Sequence, residues 1–140
     1  MISSGRLKRS AQDAIDYLRT VPGLREAEVF VASNGNLTAR LNYTSHIPCN
    51  GVEEPKSTES YGIGLRVVLD TRDGVKTGFG SEPSDLSLNG VQVALEKARR
   101  GAVNDHEFVS LPRPATPQPR RSIGAYHDPQ IMQLKDGQLV

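Results

Sequence analysis

The stretch YGIGLRVVLDTRDGVKTGFGSEPSDL, residues 61–86, decides how this chain is read. Two short apolar runs flank the turn Thr71-Arg72-Asp73-Gly74. Asp-Gly between such runs is a hairpin signal, because glycine accepts the positive φ that the turn requires. Ser84, just ahead of Asp85-Leu86, reads as the cap of a following helix. Gly62 and Gly64 sit two apart in the first strand and Gly78 and Gly80 two apart in the second, so each pair shares a face. Strand glycines lack side chains to pack, and both pairs predict that a helix or another backbone approaches closely. Arg66 alternates to the face opposite Leu65 and Val67, where a solvated or ion-paired guanidinium is expected.

Outward from this hairpin, Leu7, Ala11, Ala14, Ile15 and Leu18 recur at helical spacing, with Lys8, Arg9, Asp13 and Asp16 on the other face. Pro22-Gly23 stops that helix. Residues 28–32 are short and β-branched and read as a strand, Asn34-Gly35 as a two-residue hairpin turn, and residues 37–43 as an alternating, half-buried strand. Residues 44–60 carry Pro48, Gly51, Pro55, Glu53, Glu54 and Glu59 and read as a loop with at most one irregular edge strand. Leu86, Val91, Ala94, Leu95 and Ala98 predict a second amphipathic helix. It ends at Gly101, with Lys97, Arg99 and Arg100 suited to its negative end. Beyond it come Pro112, Pro114, Pro117, Pro119 and Pro129, a density that excludes helix and central strand and favours an extended path.

The expected fold is therefore α+β. A mostly antiparallel sheet of four or five strands carries two amphipathic helices on one face, and that face takes Val29, Val31, Ile63, Leu65 and Val67 or their alternating partners. An extended Pro-rich tail follows. The domain boundaries read as 1–102 for the folded part and 103–140 for a linker leading toward a further domain.

Composition narrows the function classes. The chain has 140 residues, 36% hydrophobic and 24% charged, with a net charge of +1. That balance gives no electrostatic case for nucleic acid or a membrane surface. Arg113, Arg120 and Arg121 make a mild basic cluster of the kind that is usually solvated. No run approaches the roughly 20 apolar residues that span a bilayer. Lys8, Arg9, Asp13 and Asp16 stand where a signal peptide would need an unbroken apolar run, so none is expected in this segment. The single Cys49 cannot form an internal disulfide, which points to a cytoplasmic home.

No catalytic or metal motif completes itself. Gly62-Ile63-Gly64 would need its third dinucleotide-binding glycine at Val67, and no helix opens there. His106-Glu107 begins a zincin-like motif, but the next ligand would fall on Ser110 for H-E-x-x-H or on Leu111 for H-E-x-x-x-H. His46 and Cys49 have no second pair to complete a tetrahedral site, and His127-Asp128 lies in the Pro-rich tail. No G-x-S-x-G elbow is present, and no Cys/His pair has a helix to lower the thiol pKa. Catalytic and metal-binding residues are accordingly expected to be absent.

The ordered pattern of G-x-G-x-R strand, Gly-containing turn, second strand and Ser/Asp-Leu helix start resembles the N-terminal domain of the TldD/PmbA family. These are zinc metallopeptidases also labelled modulators of DNA gyrase. The Tyr126-His127-Asp128-Pro129 patch resembles the family's exit segment, and the similarity runs across residues 8 to 130. It implies a non-catalytic first domain that helps wall a proteolytic chamber and admit unfolded peptides. Its partner would be a TldD/PmbA-type subunit in a homo- or heterodimer, with zinc held only in a C-terminal domain. This chain would then be a truncated product of a longer protein or a stand-alone remnant. Gly62, Gly64 and Arg66 mark the candidate substrate- or partner-facing surface, and no catalytic residue carries over. The other reading is an independent module that offers a sheet edge to peptides or a partner, with no protease context.

Overall fold

The structure is a computed structural model that describes residues 2–42, 51–52, 56–113 and 130–133. Two compact units emerge: Met1–Asn34 with Glu59–Pro112, and Gly35–Thr58 with Arg113–Val140.

The first unit holds the hydrophobic core. Helix α1, Ser4–Leu18, opens on Ser3, whose side chain accepts the Arg6 N–H. It buries Ala14 and Leu18 on the predicted stripe. Ser10, on the same stripe, donates its hydroxyl to the Leu86 carbonyl at 2.7 Å, so its burial leaves no orphaned polar group. Gly23, at φ +75, takes the left-handed turn that releases the chain into strand β1, Leu24–Thr38. Strands β4, Lys56–Thr71, and β5, Gly74–Pro83, form the predicted antiparallel hairpin, with Thr71 opposite Gly74. Gly74 has φ +115, as the turn chemistry requires. Helix α2, Leu88–Arg100, and a short strand β6, Val103–Asn104, complete the unit.

The four-stranded sheet has the order β1-β4-β5-β6. Low-numbered residues of β1 meet high-numbered residues of β4: the Gly23 carbonyl accepts from Asp70, and Ser33 lies against Glu59. These strands are thus antiparallel as well. Alternation then decides everything in β4. Ile63, Leu65 and Val67 point under both helices and pack with Ala14, Leu18, Val91, Ala94, Leu95 and Ala98. Val29 and Val31 of β1 join them, as expected. The α+β fold with both helices on one sheet face is what the apolar periodicity predicts.

Three local expectations need correction. Asn34-Gly35 makes no turn, because β1 runs unbroken through it. The long β4 supplies a ladder partner, and that ladder outweighs a local turn preference. Residues 56–60, expected in a loop, are the exposed start of β4. Ser84 does not cap α2. It is the one described non-glycine residue with positive φ, +63, and its N–H closes the ladder onto the Tyr61 carbonyl at 2.8 Å. The N-cap position is Ser87, whose side chain makes no capping bond; Asp85 holds this start in place, its carboxylate accepting the Ser87 N–H at 2.8 Å and the Asn89 side-chain amide at 3.3 Å.

The second unit contains strands β2, Leu41–Asn42, and β3, Gly51–Val52, paired antiparallel, and a short 3-10 turn at Ile131–Gln133. Only residues 41–42 of the expected strand's second half are seen here. Tyr43, most of the 44–60 loop and the Pro-rich stretch from Pro114 to Pro129 lie outside the described residues.

Candidate functional site

The face of β4 opposite the helices carries Gly62, Gly64, Arg66 and Val68. The β5 register places Pro83, Ser81 and Phe79 directly across from Gly62, Gly64 and Arg66. On the other side, Phe30 of β1 borders Gly64, and Glu28 pairs with Arg66 at 2.5 Å. The sequence-predicted trio is thus assembled on one surface, together with two aromatic side chains that sequence reasoning did not single out. Phe30 and Phe79 are each 69% exposed, which is unusual for residues in the two strands that flank a central strand. They stand on either side of the Gly64 position, where no side chain fills the gap. The result is an open concavity of about 590 Å³.

The two ends of this face differ. Val68 is fully buried although it shares the face with Gly64. Residues 105–112 account for this. The chain leaves β6 beside β5 and reaches β1, where the Leu111 N–H donates to the Glu26 carboxylate at 2.9 Å. Leu111 is buried, and the Arg25 guanidinium lies over the Phe108 ring at 5.9 Å. This crossing covers the Val68 end, and among the described residues nothing crosses the Gly64 end. Residues 103–112, which sequence reading assigned to the linker, thus pack as part of the first unit.

Charge at the bare end is compensated locally. Arg66 is tied to Glu28 and lies over the Phe79 ring at 5.8 Å, a cation–π distance. Its Nε is shielded from water and has no acceptor among the described residues, a donor that a ligand carbonyl could satisfy once the guanidinium shifts. Lys97 of α2 pairs with Glu82 at 2.5 Å at the margin of the concavity. The surface therefore offers apolar contact and hydrogen bonding rather than net charge.

Among the described residues no group of three or more His, Cys, Asp or Glu side chains could hold a metal ion. His46, Cys49 and His127 lie outside the described residues. No described helix is long and apolar enough to cross a membrane.

Residues 50–102 match the family model described as PmbA/TldA metallopeptidase domain 1. No curated protein and no solved structure matches the chain.

Proposed function

We propose that this chain, whose residues 50–102 carry the first domain of the PmbA/TldD metallopeptidase family, serves as a non-catalytic element that admits unfolded peptides and seats a partner subunit. The observation that carries this reading is the sheet face at Gly64, where two exposed phenyl rings lie beside a gap that no side chain fills among the described residues. An unfolded chain leaves its large apolar side chains in water, so burying them against such a surface favours an extended chain over a folded partner, which keeps most of them inside. Peptide hydrolysis would belong to a zinc-bearing domain outside this chain, supplied in cis or by a TldD/PmbA-type subunit in a homo- or heterodimer. A cytoplasmic setting suits the lone Cys49.

The test uses the whole chain and fluorescently labelled casein, an unfolded protein. Anisotropy should show saturable binding, competed by other unfolded chains and not by native globular proteins, with the casein left uncleaved. Absence of binding, or cleavage by the purified chain, would contradict the reading.

A further inference from the structure

The β5 strand is covered unevenly. On one side it pairs with β4 along its whole length, from Gly74 to Pro83. On the other, β6 covers only Lys76 and Thr77. Successive residues of an antiparallel strand direct their N–H and C=O groups to alternate sides. The Val75 carbonyl accepts from Asp105 at 3.0 Å on the β6 side, whereas the Ser84 N–H goes to Tyr61 of β4. By this alternation, the backbone groups of Phe79 and Ser81 point away from β4. Among the described residues no strand pairs with them.

One of these groups has a substitute partner. Lys97 Nζ donates to the Ser81 carbonyl at 3.0 Å while holding Glu82. An ammonium here occupies the position that the N–H of an added strand would take. Charged side chains at sheet edges commonly prevent strand addition. Pro83 has no N–H, so the exposed ladder ends there. The same concavity that contains Phe30 and Gly64 extends past Phe79 to Lys97.

We propose that the outer edge of β5 at Phe79 and Ser81 is a docking site for an extended, uncharged polypeptide strand, and that Lys97 holds it closed until that strand displaces it. The inference rests on the peptide-admitting role above and locates where the peptide backbone binds. A strand added at this edge places its residue opposite Phe79 on the same face as the exposed ring, which selects an apolar or aromatic side chain. Because Arg66 is tied to Glu28 and Lys97 to Glu82, the site has no uncompensated charge with which to select an acidic or basic peptide.

The experiment compares two short labelled peptides of alternating Val and Thr with a central Phe. One is unmodified, and the other is N-methylated at every residue so that neither of its edges can form a ladder. The full chain should bind the first and lose at least about tenfold in affinity for the second. Lys97→Met should tighten binding several-fold. Ser81→Pro should abolish binding while leaving the circular-dichroism melt near wild type, since the lost N–H points away from β4. Equal binding of the methylated peptide would overturn the proposal, as would retained binding by folded Ser81→Pro. Self-association of Lys97→Met through this edge, in preference to peptide, would make the occupant a second copy and also overturn it. If Gly64→Val loses binding and Ser81→Pro keeps it, the open-face reading stands and the edge fails. Should Ser81→Pro not fold, the N-methylated peptide alone decides.

Discussion

Gly78 and Gly80 on β5 and Gly62 and Gly64 on β4 share one sequence pattern, yet they solve different physical problems. A Cβ at Gly80 would lie 1.9 Å from the Ala94 carbonyl oxygen, and one at Gly78 would lie 2.1 Å from that of Ala98. Helix α2 rests its backbone directly on these two positions. On β4 the helix face is filled instead by Ile63, Leu65 and Val67, and the glycines point the other way. A Cβ at Gly62 would meet the Glu82 carbonyl of the neighbouring strand at 2.8 Å. A Cβ at Gly64 would meet nothing closer than Phe30 at 3.9 Å. One pair exists so that a helix can approach. Of the other, Gly62 accommodates its strand neighbour, and Gly64 alone has no packing reason within the described residues.

The largest effect should come from breaking the helix contact. Gly80→Ala places a methyl group against helix backbone that has no rotamer to yield, so it should destabilise the chain by about 3 kcal/mol or prevent folding. Urea denaturation checks this, and a near-wild-type midpoint would remove the helix-seat explanation.

The same contrast extends to side chains on the two faces. Ile63, 2% exposed beneath the helices, should cost about 2–5 kcal/mol when changed to Ala. Phe30→Ala on the bare face should stay within about 0.5 kcal/mol. Comparable losses for the two would mean that the Phe30 ring is buried in solution.

A smaller effect concerns how α2 is held over the glycines. The Asp85 carboxyl lies below the usual carboxylate range, chiefly because it accepts the Ser87 backbone N–H and then the Ser87 and Asn89 side chains. A depressed folded pKa contributes stability above the unfolded value, and that stability is lost as pH falls through the folded one. Asp85→Asn should therefore be less stable than wild type at neutral pH, and the gap should close as pH falls below the normal carboxylate range. Thermal melts across that window measure it.

Much of this was legible in the sequence, and the parts that were not have identifiable causes. Helical spacing located α1 and α2, and Asp73-Gly74 located the central hairpin. Asn34-Gly35 misled because a turn signal is local while the β1–β4 ladder is not. The polar run at residues 56–60 has no apolar period to betray a strand. Residues 103–112 look like linker because β6 is only two residues long and Phe108 and Leu111 show no period of their own. Ser84, Asp85 and Ser87 all have capping chemistry, so sequence marks the helix start without choosing among them. Alternation alone puts Gly62, Gly64 and Arg66 on one face of the strand, as the register does. Phe30 and Phe79 escaped notice because an aromatic residue in a strand normally signals core.

Gly64→Val tests the central claim, that the bare face is functional rather than structural, because it adds a side chain where the structure leaves room. Strand propensity rises with this change, so the urea midpoint of the full chain should equal or exceed wild type, by up to about 1 kcal/mol. Casein binding by the same protein should fall several-fold as the gap between Phe30 and Phe79 fills. Loss of folding, or folding with casein binding unchanged, would contradict the account.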